Sequence, residues 1–259
     1  MPNAPTDIGG QKVEGHRPWP RRIIDADTWQ AAAEHLAASR WTLSGLWGDA
    51  GAVHMAVLDE GGMTVLTLPC PENHFPSIAQ HHSPAIRLER TIHDLFGLAP
   101  RNAPDLRPWL DHGRWGLRHP LGAQVAETDA KPYAFLAAEG ESLHQIAVGP
   151  VHAGIIEPGH FRFHANGEAI VRLEERLGYT HKGVEALMRD ADLAQAAKLA
   201  GRVSGDSTVA YATAFARAAE AALGIDVPAR AHWLRGLMAE LERLANHLGD
   251  IGAICNDAS

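Results

Sequence analysis

Apolar and polar positions change their spacing several times along this chain, and each change predicts a different element. Up to about Arg22 the residues are Pro, Gly and charge with no apolar period, which predicts a flexible arm over 1–22. Trp29, Ala32, Leu36 and Ala37 then recur at helical spacing behind Asp27 and Thr28, which are candidate caps. Residues 41–47, 52–58 and 63–68 are short apolar runs separated by the glycine-bearing turns 48–51 and 59–62. They predict an antiparallel meander. A second helix is expected over 83–98, with Pro84 in its first turn, Ile86, Leu88, Ile92, Leu95 and Phe96 on its buried side, and Gly97 at its end. The stretch 102–118 is rich in Pro, Trp and Arg, too irregular for an element, and reads as a wrapping tail.

The second half repeats the change from strand to helix. Short apolar runs at 146–148, 159–163 and 169–173 predict a small sheet, with Gly, Pro and His collected in the connection that starts at Gly149. From His181 onward the pattern is helical, over 183–189, 192–199, 208–223 and 229–251. In the last of these Leu234, Leu237, Leu241, Leu244, Leu248 and Ile251 alternate spacings of three and four, so one stripe faces a core or partner helices. A bundle helix of this kind normally packs on others, so the chain is expected to be one part of a longer, C-terminally truncated whole. The expected fold is α+β: an α/β domain over 23–140, then a domain over 141–259 in which a short antiparallel sheet leads into a helical bundle.

Composition narrows the functional classes. The 259 residues carry a formal charge of -8 and no basic stripe, which argues against nucleic acid as a partner. Cys70 and Cys255 lie far apart and form no pair with metal-ligand spacing, so neither a disulfide scaffold nor a cluster held by this chain is expected. No run approaches the roughly 18 apolar residues of a membrane span, and the first residues lack a signal-peptide core.

Two sets of motifs carry a family resemblance. Leu88-Glu-Arg-Thr-Ile-His-Asp-Leu-Phe-Gly97 with Pro104-Asp-Leu-Arg107 resembles the signature of the small iron–sulfur-free arm subunit of respiratory complex I. Asn102-Ala103 stands where that signature has Gly-His. Gly149-Pro-Val-His152, Glu157-Pro-Gly-His-Phe-Arg162, Gly178-Tyr-Thr-His-Lys-Gly-Val-Glu185, Arg202-Val-Ser-Gly205, Gly224-Ile-Asp-Val-Pro228 and Glu240-Leu-Glu-Arg-Leu-Ala-Asn-His-Leu248 resemble, in order, the large subunit shared by complex I and [NiFe]-hydrogenases, as in formate hydrogenlyase. Several motifs in one order are more specific than any one alone.

The resemblance implies a subunit of a membrane-associated, complex I-like or hydrogenase-like oxidoreductase. Electrons would pass from an iron–sulfur partner subunit to a quinone or similar acceptor, coupled to ion movement in antiporter-like membrane subunits, with NAD and iron–sulfur clusters on the partners. It also implies a cytoplasmic, peripheral place on the inner face of the cell membrane. Hydrogenases of this family hold nickel and iron through cysteines where this chain has Ser204 and Ser207, and Tyr211 stands where many relatives have a histidine near the cluster; their second cysteine pair would lie beyond Ser259. A serine hydroxyl stays protonated where a thiol of pKa about 8.5 ionises, so nickel is expected to be absent. Complex I's own large subunit has lost the same cysteines and uses the space as a quinone chamber.

The site expected from this combination has His152 and His160 as catalytic proton carriers, and Arg202, Ser204, Ser207, Tyr211, His181 and Glu185 lining an acceptor cavity. Each has a plain structural alternative. Asp206, Ser207 or Thr208 can cap the helix that follows, Arg202 can form an ion pair, and His181 with Glu185 four residues on can be a hydrogen-bonded pair or a relay on one helix face. Glu240, Glu242 and His247 read as solvated or packing residues. The competing functional class is a non-catalytic, shortened paralogue that holds assembly contacts.

Overall fold

The computed structural model describes residues 8–126, 132–152, 154 and 156–258. It resolves into two compact units, the first built mainly from residues 19–181 and the second from residues 182–259 with 15–18. Compactness therefore divides the chain at Lys182, and the short sheet of the second half sits in the first unit. The boundary expected between residues 140 and 141 rests on a change in composition, which a division by compactness does not test.

The first unit begins with β1 (Gln11–Lys12), β2 (Arg21–Ile23), helix α1 (Ala26–Ala37) and the strands β3 (Thr42–Gly48), β4 (Ala52–Asp59) and β5 (Gly62–Pro69). The meander β3–β4–β5 forms as expected, because polar glycine turns separate three apolar runs. The segment read as a loose arm adds two strands to it: β1 pairs antiparallel with β2, and β2 runs parallel to β5. The sheet order is β1-β2-β5-β4-β3. Local composition misses this because the pairing is long-range: Ile24 N donates to Thr67 O, and Ile8 is buried in the core. The cap of α1 also differs from expectation. Asp25, not Asp27 or Thr28, accepts from Thr28 N at 2.8 Å.

Trp29, Leu36, Met55, Leu66, Phe75, Ile78 and Ile92 belong to one core between the sheet and the two helices of this unit. The second of these, α2 (Ile86–Phe96), follows a short 3-10 turn at Ser83–Ala85 that contains Pro84, and it ends at Gly97 in the left-handed conformation, φ 75°. Short pairs follow, β6 (His74–Pro76) with β7 (Ala99–Arg101) and β8 (Leu117–Arg118) with β9 (Val125–Ala126). The small sheet then runs β10 (His144–Val148), β11 (His160–Asn166), β12 (Ala169–Arg176), all antiparallel.

The second unit holds α3 (Val184–Arg189), α4 (Leu193–Ala200), α5 (Thr208–Leu223) and α6 (Ala229–Ala258). No residue of α5 or α6 is buried, and Trp233 is 80% exposed, so the leucine stripe of α6 lacks cover among the described residues. None of the described helices is long and apolar enough to cross a membrane.

Candidate functional site

The connection between β10 and β11 is closed at its neck by two glycines. A Cβ on Gly149, at φ +77°, would lie 2.0 Å from the carbonyl oxygen of Gly159, so only glycine fits there. This neck holds the two histidines expected to be catalytic, each by one ring nitrogen. The Gly154 N–H donates to His152 Nδ1 at 3.0 Å, which places the proton of the neutral ring on Nε2. His160 is the reverse: its Nδ1–H donates to the Gly149 carbonyl at 3.0 Å, which leaves a lone pair on Nε2. Both Nε2 atoms are buried without a partner, as are Arg162 Nε and His164 Nδ1 on the following strand. Four of the five such side-chain atoms among the described residues thus belong to this loop and to β11. The loop surface is apolar, with Val151 92% and Ile156 63% exposed.

His160, Arg162 and His164 alternate along β11 and so share one face with Arg172, Glu174 and Arg176 of β12. Segment 132–137 crosses this face. Phe135 lies edge-on to His160 at 5.3 Å, with the Arg162 guanidinium 3.7 Å from its ring centre. Leu136 N donates to Glu174, and Arg172 donates to Ala137 O.

The charged residues of the α2 signature hold this region together. Glu89, in the first turn of α2, is buried and accepts from Ser77 Oγ, Ile78 N and Ala79 N at 2.7, 2.7 and 3.2 Å. Burial outweighs these bonds and raises its carboxyl pKa. Arg90 donates to the Arg107 and Pro108 carbonyls, to Asp105 and to Tyr133 Oη. Arg107 in turn forks onto Asp105 and reaches Glu174 at 2.6 Å and Ala134 O at 3.0 Å. Asp94 accepts from Trp109 N and Leu110 N at 2.8 and 2.7 Å. Burial alone would raise Asp94, but bonds from His93 and these two amides hold its carboxyl below the usual range. The helix read from its apolar stripe is therefore also an ionic clamp on the wrapping tail, a role signalled by Arg90 and Asp94 standing beside the buried leucines and isoleucines.

The remaining expected residues fall in both units. His152, His160 and His181 belong to the first unit, and Glu185, Arg202, Ser204, Ser207 and Tyr211 to the second. His181 stacks on Trp115 at 4.8 Å and precedes α3, which starts at Val184 after Gly183 in the left-handed region; it therefore shares no helix face with Glu185, which is exposed. Arg202 and Tyr211 are exposed as well.

The turn before α5 departs from the capping expectation. Ser207 occupies the N-cap position but makes no side-chain cap bond, Thr208 Oγ1 turns back to Gly205 O, and Ser204 Oγ donates to Asp206. The cap comes from α6. Glu242 accepts from Val209 N at 2.5 Å and Ala210 N at 3.1 Å, and Asn246 Nδ2 donates to Asp206 O at 2.6 Å. Glu242 is thus a tertiary cap, not a solvated residue.

The donors here do not fit nickel. Ser204 acts as a hydrogen-bond donor and so keeps its proton, and a hydroxyl is not the soft thiolate that such a metal prefers. Cys70 is buried in the first unit, and burial pushes its thiol up to about 11, away from the thiolate that binds metal. Among the described residues no three His, Cys, Asp or Glu side chains are arranged to hold a metal ion.

Comparison with known proteins agrees with these motifs. Residues 23–130 match the family of the respiratory-chain NADH dehydrogenase 30 Kd subunit, and residues 182–249 match the nickel-dependent hydrogenase family. Hydrogenase-4 component G of Escherichia coli K12 is 36% identical over 192 residues, covering 70% of this chain and 35% of that protein. Formate hydrogenlyase subunit 5 of the same organism is 33% identical over 193 residues, 70% and 34% of the two chains. The C/D polypeptide of the NADH-quinone oxidoreductase from Bdellovibrio bacteriovorus is 28% identical over 177 residues, 63% and 31%. The chain spans about a third of the length of these relatives.

Proposed function

Because the chain belongs to the fused complex I-like and hydrogenase large-subunit-like family, we propose that it acts as a peripheral, quinone-reducing subunit of a multi-subunit membrane oxidoreductase, without nickel chemistry. The observation that carries this reading is the 149–160 loop. It combines exposed apolar residues with two imidazoles whose uncommitted nitrogens are of opposite kind, a donor on His152 and an acceptor on His160. That pairing suits a quinone–quinol couple, in which a carbonyl oxygen accepts a hydrogen bond and a hydroxyl donates one.

Reduction of a quinone to a quinol adds two electrons and two protons. An iron–sulfur cluster on a partner subunit would supply the electrons. His160, protonated from solvent at Nε2, gives one proton to a quinone oxygen and solvent supplies the other, while His152 Nε2–H hydrogen-bonds the second quinone oxygen and the neutral ring keeps its proton. The serine turn of the second unit contributes no redox metal, and ion movement belongs to membrane partners.

The test is to purify the assembly from its native membrane, identify its companions by mass spectrometry and assay reduction of a short-chain quinone. An iron–sulfur subunit should co-purify, and His152→Ala and His160→Ala should each lower kcat about a hundredfold, within the span of general acid catalysis. Wild-type turnover in both variants, or nickel recovered in stoichiometric amount, would sink the reading.

A further inference from the structure

We propose that the leucine stripe of α6 is the seam of an antiparallel, two-fold symmetric coiled coil with a second copy of this chain. The seam lies within the second unit and is independent of the quinone reading.

Leu234, Leu237, Leu241, Leu244, Leu248 and Ile251 keep the alternating spacing of a heptad seam, in which 234, 241 and 248 are a positions and 237, 244 and 251 are d positions. Each of the six is between 47% and 69% exposed, in a helix with no buried residue. The rest of the second unit does not cover them. α6 holds α5 and its leading turn through Arg235, Glu242 and Asn246, which are b and f positions on the side of the helix away from the seam. A continuous stripe of this length is more apolar surface than a monomer normally leaves bare.

The stripe is complementary to itself when one copy is turned end for end, as an isologous contact requires. With the two-fold axis between residues 242 and 243, Leu241 of one copy meets Leu244 of the other, Leu237 meets Leu248, and Leu234 meets Ile251, so every layer joins an a to a d position. The flanking positions then match as well. On one side Trp233, the most exposed side chain of the helix, meets Ile254, and Glu240 meets His247. On the other side Met238 meets Ala245 and Ala231 meets Gly252, so nothing bulky or like-charged opposes there.

Charge selects this orientation over the parallel one. Residues 229–239 carry Arg230 and Arg235 and no acid, whereas residues 245–258 carry Asp250 and Asp257 and no Lys or Arg. Arg235 is paired with Glu220 inside its own copy, which leaves Arg230 as the charge that the second copy meets. Antiparallel pairing sets Arg230 beside Asp257 and opposes the two helix dipoles, while parallel pairing sets charges of one sign together. A membrane surface is the alternative cover for an amphipathic helix. α6 has three arginines against four carboxylates, so its polar face lacks the basic excess that holds such a helix to anionic lipid.

The test is sedimentation equilibrium of the full 259-residue chain, together with the distance between nitroxide labels placed on Cys255, the exposed one of its two cysteines. A reversible monomer–dimer equilibrium in the micromolar range is expected, with the labels about 40 Å apart along the seam at 1.5 Å per residue. Leu241→Glu and Leu244→Glu change side chains that are half exposed in the single copy. They should leave the helicity of the dissociated chain unchanged and weaken the dimer at least about a hundredfold, because the axis brings each carboxylate into an apolar layer beside its own counterpart. Arg230→Asp and Asp257→Arg should each weaken it about fivefold, and the double variant should recover the loss. A chain that stays monomeric at every soluble concentration, species larger than a dimer, or a dimer unaffected by both glutamate variants would overturn the proposal. So would labels closer than about 20 Å, since parallel helices about 8–10 Å apart bring equivalent residues together. A monomer that instead sediments with phosphatidylglycerol vesicles would overturn it in favour of a membrane surface.

Discussion

At the scale of single residues, the signature that marks this family has a physical meaning that its apolar stripe conceals. Glu89, Arg90 and Asp94 occupy α2 between its core residues and satisfy backbone groups of two segments without regular structure, 78–79 for Glu89 and 107–110 for Arg90 and Asp94. Asp94 carries a stability consequence with a definite sign. Its folded-state pKa is depressed, so its contribution is present above the ordinary carboxylate value and is lost as pH falls through the folded value. Chemical denaturation should therefore show stability falling as pH drops below the ordinary carboxylate value, and Asp94→Asn should both lower stability at pH 7 by roughly 1–3 kcal/mol and flatten that fall. An unchanged acid limb in the variant would show that Asp94 is not the group responsible.

Elements here are tied by charges that reach across sequence. The N-terminus of α5 lies beside three residues able to cap it, yet Glu242 does so from α6, and Arg235 pairs with Glu220 farther along the same two helices. A side chain on a packed neighbour can meet two amides at once, whereas Thr208 and Asp206 are drawn into their own turn and Ser207 makes no side-chain cap bond. Glu242→Ala should lower the helical stability of the second unit by about 1–2 kcal/mol, as loss of a cap does, and expose the Val209 and Ala210 amides to hydrogen exchange. Ser207→Ala should leave those amides protected. The reverse pattern would restore the local cap.

Across the whole molecule, Arg107 connects the signature to the small sheet: it joins Asp105 of the tail to Glu174 of β12, which is 7% exposed. Arg107→Met strands that buried carboxylate and should cost roughly 3–5 kcal/mol in denaturant unfolding. Adding Glu174→Met should recover much of the loss, because no uncompensated charge remains. A double variant as unstable as the single one would mean that packing, not charge pairing, holds the sheet in place.

The sequence by itself determined the meander, the extents of α2 and α5, the start of α6, and that hydroxyls rather than thiols stand at positions 204 and 207. All of these follow from local period, turn chemistry or residue type, which need no partner from far along the chain. Tertiary structure alone decided that residues 11–12 and 21–23 enter the first sheet, that Asp25 caps α1 and Glu242 caps α5, and that His181 and Glu185 share no helix face. It also gave His152 and His160 opposite tautomers. Each of these depends on which backbone amide or carbonyl a folded neighbour presents, and strand pairing, caps and ring protonation are set by that partner rather than by the residue itself.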